Sequence, residues 1–202
     1  MPSAPTAPPA SLLQDKTELR RAAFARRQAL ARAETPAAAG AKAATFLLAG
    51  IAIVPGSTVS AYWPMGDEID PRPLMERLHG AGIAIGLPVV VAKGEPLLFR
   101  RWTPATRLVP GGFKTEVTSP EEPELTPSLL IVPLLAFDRH GYRLGYGGGF
   151  YDRTLAKLRS AGGAVTAVGF AYARQEVEAV PRAAYDQRLD WIATERSLHR
   201  IA

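Results

Sequence analysis

The chain contains no cysteine in its 202 residues. Disulfide frameworks, thiolate catalysis, iron–sulfur clusters and cysteine-ligated zinc are therefore excluded. Histidine is almost as scarce, and His79, His140 and His199 are too scattered for a His-rich metal site. No run reaches the roughly 18 apolar residues of a membrane span. The opening stretch MPSAPTAPPAS has neither the basic start nor the apolar core of a signal peptide. These absences lead to the expectation of a soluble, cytoplasmic protein.

Hydrophobic residues make up 47% and charged residues 21% of the chain, the balance of a globule with a sizeable core. At roughly 150 residues per domain, the length predicts one domain. Residues 1–11, with four prolines and three alanines, read as a disordered arm, and residues 12–202 as a single α/β domain.

The net charge is +5, and its distribution is uneven. Up to Ala33 there are six cations (Lys16, Arg20, Arg21, Arg26, Arg27, Arg32) against Asp15 and Glu18, which leaves +1 for all the rest. A local excess suits an anion met at one place. A nucleic-acid binder has a broader basic face with interleaved aromatics, whereas Phe24 is the one aromatic of this stretch.

From Leu12 to Ala33 the composition favours helix, and Lys16, Arg20 and Arg27 fall close to one stripe of it. Thr35-Pro36 reads as the start of a second helix ending near Gly50. Ser57–Trp63 alternates like a strand, and Asp70-Pro71 starts a third helix through Leu78. Ile83–Val91, with Pro88 marking its end or a bulge, and Leu97–Trp102 read as further strands. Thr103–Pro127 is rich in Pro, Gly and Glu and reads as an irregular loop. Leu129–Val132 suits a buried parallel strand. A helix is expected from Phe150 to Arg159, then strands at Ala164–Phe170 and Trp191–Ala193. This alternation predicts a layered α/β fold with a largely parallel central sheet flanked by helices.

Gly141-Tyr-Arg-Leu-Gly-Tyr-Gly-Gly-Gly-Phe-Tyr-Asp-Arg153 carries five glycines in nine positions between a buried strand and a helix. Backbone N–H groups free of neighbouring Cβ atoms can curl around phosphate oxygens, aided by the helix N-terminus. No Gly-Lys-Ser/Thr closes it as in a Walker A loop, and Phe150 stands where a dinucleotide fingerprint needs glycine. A turn required only by tight packing is the alternative. Arg143 and Arg153, flanking the loop, favour phosphate. Asp152 and Asp186 are candidate magnesium ligands, because magnesium on a nucleotide takes one or two carboxylates. Each has a plainer reading: Asp152 as a helix-start carboxylate, Asp186 as a partner of Arg188.

Several separated motifs agree: Lys16-Thr-Glu-Leu-Arg20; Tyr62-Trp-Pro-Met-Gly-Asp-Glu-Ile-Asp-Pro-Arg72; Val132-Pro-Leu-Leu-Ala-Phe-Asp138; the glycine loop; Ala171-Tyr-Ala-Arg-Gln175; and Pro181 to Asp186. From Lys16 to Thr194 the chain resembles the 5-formyltetrahydrofolate cyclo-ligase (5,10-methenyltetrahydrofolate synthetase) family. The resemblance implies ATP, Mg2+ and 5-formyltetrahydrofolate as reactants. ATP phosphorylates the formyl oxygen, and folate N10 then closes the ring and expels phosphate.

Carried over by position, it implies that Lys16 and Arg143 act on the reacting phosphate, with Arg20 beside them. Leu144, Gly145, Tyr146, Gly147, Gly148, Gly149, Phe150 and Tyr151 would wrap ATP. Trp63, Met65 and Glu68 would hold the folate, together with Tyr146 to Phe150 of the loop, and Asp152 and Asp186 the metal. Glu68 suits a pterin, whose adjacent N–H and amino donors can meet both carboxylate oxygens. Of Phe99 and Trp102, three residues apart, at most one is expected to face the folate. Relatives often carry Gly-Ile-x-Glu-Pro where this chain has Gly112-Phe-Lys-Thr-Glu-Val117, and a basic residue where it has Tyr146 and Gly148. Lys16, Arg20 and Arg143 would then bear more of the phosphate charge.

A monomer with a small-molecule substrate and no nucleic-acid or membrane partner is expected. Two other readings stay open: a same-fold ATP-dependent enzyme for another formyl or amide compound, and a basic RNA-binding module, whose binding must weaken steeply with salt.

Overall fold

The computed structural model describes residues 9–112 and 115–202. Residues 1–8 of the expected arm, and Phe113 and Lys114 of the 112–117 stretch, lie outside the described residues. Helix α1 spans Ala10–Ala33, so Ala10 and Ser11 belong to a helix and not to an arm. Pro9 is tolerated as its N-cap because no intrahelical N–H is needed there. Helix α2 spans Pro36–Gly50, and Thr35 Oγ1 accepts from Ala38 N at 3.3 Å as its cap.

The central sheet is built on five parallel strands: β1 (Thr58–Ser60), β2 (Ala84–Val89), β7 (Leu129–Val132), β10 (Thr166–Phe170) and β11 (Trp191–Ala193). Their order is β11-β10-β7-β1-β2. One edge is extended antiparallel by β12 (Leu198–Arg200), the other by β3 (Leu98–Trp102) and then β6 (Glu124–Leu125). This is the expected layered, largely parallel α/β fold. Helix α3 (Arg72–Gly80) links β1 to β2, and α4 (Phe150–Ser160) precedes β10.

The sheet is buried on both faces. Leu129 and Ile131 of β7 join Ala43 and Leu47 of α2 and Leu74 and Leu78 of α3. Leu130 and Val132 turn the other way, towards Leu155 of α4. Phe99 and Trp102 divide in the same manner, one in each core, and neither lines the cavity described below. Gly40 allows α2 to touch the chain before α3, since a Cβ there would lie 1.9 Å from the Asp70 carbonyl oxygen.

Three expectations need correction. Among its described residues, the stretch 103–127 holds three short strands: β4 (Leu108–Pro110) paired with β5 (Glu116–Thr118), and β6 on the main sheet. Their two or three residues leave no periodic signal among Pro and Gly. Pro88 lies inside β2, opposite Phe99, but beyond Gly86, where the pairing with β1 ends, so only one neighbouring strand faces it. Finally, β1 is limited to Thr58–Ser60, and Ala61 onwards leaves the sheet towards the site.

A further hairpin, β8 (Ala136–Phe137) with β9 (Arg143–Leu144), stands beyond the end of β7. Helix α1 packs on it through Ala23, with Leu135, Ala136 and Leu144. The chain leaves β1 for β2 on one side, while β7 lies on the other. Their carboxyl ends therefore bound the kind of crevice in which open α/β sheets hold ligands.

Candidate functional site

A cavity of about 450 Å³ occupies that crevice. Tyr62, Trp63, Met65 and Glu68 reach it from the end of β1, and Pro133 from the end of β7. The glycine loop from Gly145 to Gly149 forms the opposite wall with the start of α4, and Lys16 and Arg20 of α1 close it over. Every residue expected to meet ATP, folate or metal lines this one cavity. Thr115 and Glu116 line it as well, so the altered 112–117 stretch borders the site.

The loop is held open by its own backbone. Gly147 and Gly149 have φ of +98° and +66°, which L side chains rarely adopt. Gly149 caps α4, whose first-turn N–H groups carry partial positive charge towards the cavity side. Arg20 Nε donates to Gly145 O at 3.0 Å, and Arg153 Nη2 to Gly148 O at 2.6 Å. Side chains on both flanks thus set the loop's course.

Cations and carboxylates stand in pairs along the cavity. Lys16 Nζ lies 2.6 Å from Asp186 Oδ2, and Arg143 Nη2 2.7 Å from Asp152 Oδ1. Asp186 therefore pairs with Lys16 and not with Arg188, whose guanidinium donates to the carbonyls of His140 and Ala202. Described contacts to Asp152 all fall on Oδ1, from Arg143 and Gln187 N. Those to Asp186 all fall on Oδ2, from Lys16 and Ala183 N. Each carboxylate keeps its other oxygen for a further partner. No group of three or more His, Cys, Asp or Glu that could hold a metal occurs among the described residues. Two aspartates nevertheless fit magnesium carried in on a nucleotide, because phosphates and waters complete its shell.

Glu68 is deeply buried, its side chain 3% exposed. Its Oε2 accepts from Met65 N at 2.9 Å, and its Oε1 accepts from the Tyr146 hydroxyl. Burial raises its pKa, while the bonds from Tyr146 and Met65 and the charge of Arg27 pull it back in part. The Tyr151 hydroxyl is buried with no partner among the described residues, and burial, then the charge of Glu68, pushes its pKa up. Tyr151 is among the residues that line the cavity.

Two participants carried no assigned role in the sequence. Arg27 falls on the α1 stripe with Lys16 and Arg20, but its guanidinium is buried against Asp67, Glu68 and Tyr146 and does not line the cavity. Asp67 precedes Glu68 in the motif, and Arg27 Nε and Nη2 both donate to its Oδ1. The helical spacing was the available signal for Arg27. Nothing local marked Asp67.

The sequence profile of the 5-formyltetrahydrofolate cyclo-ligase family matches residues 13–195. A 5-formyltetrahydrofolate cyclo-ligase of Escherichia coli (strain K12) is 35% identical over 161 residues, covering 77% of this chain and 87% of that protein. One of Haemophilus influenzae is 33% identical over 133 residues, covering 63% and 70%. Among solved structures, the 5,10-methenyltetrahydrofolate synthetase of Aquifex aeolicus superposes with a TM-score of 0.73 at 30% identity, covering 92% of each chain. That of Mycoplasma pneumoniae gives 0.70 at 25% identity, covering 90% of this chain and 99% of the other.

Proposed function

The chain belongs to the 5-formyltetrahydrofolate cyclo-ligase family, and we propose that it converts 5-formyltetrahydrofolate to 5,10-methenyltetrahydrofolate, consuming ATP, which is bound as its magnesium complex. The observation that carries this reading is that the glycine loop and the Trp63–Glu68 segment wall one cavity, so a nucleotide and a second reactant can meet. The formyl oxygen of an amide leaves poorly. Transfer of the γ-phosphoryl group to it forms an O–P bond and releases ADP. N10 then attacks the formyl carbon, the C–O bond breaks, phosphate departs, and the N10 proton is lost as the ring closes.

The residues' work is positioning and charge compensation. Lys16, Arg20 and Arg143 neutralise the triphosphate, and the backbone from Leu144 to Tyr151 wraps it. Trp63 and Met65 wall the folate, with the loop from Tyr146 to Phe150 beneath it, and Glu68 accepts the pterin's donors. Asp152 and Asp186 hold magnesium, which supplies positive charge to the phosphate oxygens when bound. The preformed pairs Lys16–Asp186 and Arg143–Asp152 support this division, because each keeps a cation for phosphate beside an anion for metal.

The test is the absorbance of 5-formyltetrahydrofolate with the protein, magnesium and ATP. The conjugated methenyl product should accumulate only when all are present. Its absence at high enzyme concentration, with ATP binding intact, would move the assignment to another formyl or amide substrate.

A further inference from the structure

Arg27 is an expensive residue to place where it is. Its side chain is 3% exposed, and a buried ion pair recovers its desolvation cost only with good geometry. Replacing a whole buried ion-pair cluster by apolar side chains of similar volume is often neutral or stabilising, whereas removing one partner alone strands the others. Packing alone does not account for a guanidinium here.

Its contacts do. Nε and Nη2 donate to Asp67 Oδ1 at 3.1 and 2.7 Å, while Nη1 donates to the Tyr146 hydroxyl at 2.6 Å and lies 3.6 Å from Glu68 Oε1. The planar fork addresses different partners through different edges, so fixing one edge on Asp67 orients the other. Tyr146 is held by two neighbouring side chains of α1, Arg27 and Phe24, whose ring meets it edge-on at 5.6 Å. One helix side chain thereby ties the segment after β1 to the tip of the glycine loop. The local charge also matters: a single guanidinium faces two carboxylates, Asp67 and Glu68, and of the three only Glu68 lines the cavity.

We propose that Arg27 is a positioning residue of the substrate site, fixing Glu68 and Tyr146 relative to one another so that the carboxylate meets the pterin's N–H and amino donors. It acts through those two side chains, since they line the cavity and Arg27 does not. The inference rests on the proposed contact between Glu68 and the folate, and its test separates the two.

Steady-state kinetics with 5-formyltetrahydrofolate and ATP are measured for the full chain and for Arg27→Met, Arg27→Lys, Glu68→Gln and the Arg27→Met/Glu68→Gln double variant. Arg27→Met should raise the folate KM about tenfold, the scale of one lost charged hydrogen bond, and the ATP KM less than about twofold. Arg27→Lys should fall between it and the parent. In the Glu68→Gln background, Arg27→Met should add nothing to the folate KM, because the two act as one unit. An equal rise in both KM values, an unchanged folate KM, or full multiplication in the double variant overturns the proposal. Should Arg27→Met fail to fold, Arg27→Lys decides: a raised folate KM at the parent's melting temperature supports the role, and parent-like kinetics reject it. A parent-like folate KM in Glu68→Gln removes the carboxylate assignment and this proposal with it; a raised one beside a silent Arg27→Met removes Arg27 alone.

Discussion

The hydroxyl of Tyr146, at the tip of the glycine loop, donates to Oε1 of Glu68, 78 residues earlier in the chain. The segment proposed for the folate and the loop proposed for ATP are thus joined before either reactant arrives. The carboxylate at the junction is buried, which raises its pKa above the ordinary 4.5, and that has consequences for pH.

The groups facing Glu68 are Arg27 from α1, Asp67 beside it, Tyr62 from the end of β1, Tyr146 from the loop and Tyr151 from α4. Only the ionised carboxylate accepts donors on both oxygens. As pH falls through the raised pKa, the folate KM should therefore climb, at a pH above that of an ordinary glutamate. Tyr146→Phe removes a donor that lowers this pKa, so the acid limb should move to still higher pH. Glu68→Gln should abolish the limb. The sign for stability is opposite to that of a salt-bridged acid: the folded chain binds this proton more tightly than the unfolded one, so stability contributed by protonated Glu68 is lost as pH rises from the unfolded to the folded pKa. KM against pH for the three proteins checks the kinetic claim, and an unshifted limb in Tyr146→Phe contradicts it.

Arg20 donates through Nε to the Gly145 carbonyl, and its guanidinium lies 3.4 Å from where a Cβ on Gly147 would stand. It borders the glycine-loop side of the cavity, proposed for phosphate, and touches no part of the Trp63–Glu68 wall in the hydrogen-bond pattern. Arg20→Ala should raise the ATP KM by roughly tenfold or more, the loss of a charged donor, while the folate KM moves much less. A rise confined to folate would reverse the assignment of the two ends of the cavity.

Much of this was legible in the residues. Thr35-Pro36 marks the start of α2 because its cap and first-turn proline are local chemistry. Leu129–Val132 is apolar throughout because β7 is covered on both faces. The glycine loop was readable because its conformation demands glycine. What stayed hidden depends on distant partners. Strands of two residues such as β8 have no period to detect, and Pro88 is acceptable in β2 only because β1 stops short of it. Arg27 was visible as a third cation on the stripe of Lys16 and Arg20. That it turns into the protein is decided by Asp67 and Tyr146, 40 and 119 residues away.

Asp152 stands in the first turn of α4, where a carboxylate is favoured by the helix dipole whatever else it does. Magnesium dependence separates the roles. Asp152→Asn keeps an oxygen for Gln187 N and Arg143 but loses an anionic ligand. The magnesium concentration for half-maximal turnover should rise on the order of tenfold, with part of the rate restored at saturating metal. Full activity at limiting magnesium would leave Asp152 as a helix-start carboxylate and anchor for Arg143.

Gly40 and Gly80 make a matched pair for the packing of α2 against the chain that carries Glu68. Gly40 lies inside α2, where Gly→Ala is worth roughly 0.5–1 kcal/mol of stabilisation from propensity alone, and Gly80 is the last residue of α3, where the gain is smaller. At Gly80 a Cβ would meet nothing within 4 Å, so Gly80→Ala should raise the melting temperature slightly. At Gly40 a Cβ would lie 1.9 Å from the Asp70 carbonyl oxygen and 2.9 Å from its carbon. That obstacle is backbone, held by Asp70 N donating to Pro36 O at 3.1 Å, and it cannot rotate away as a side-chain tip would. The overpacking cost, about 1–3 kcal/mol or more, outweighs the propensity gain. At roughly 2–4 °C per kcal/mol for a chain of this size, Gly40→Ala should lower the melting temperature by several degrees. Because Asp70 follows Glu68 by two residues, the shift should also raise the folate KM in whatever fraction stays folded. A Gly40→Ala protein as stable as Gly80→Ala would mean that α2 moves away from Asp70 at no cost, and that this close approach does not hold the folate wall.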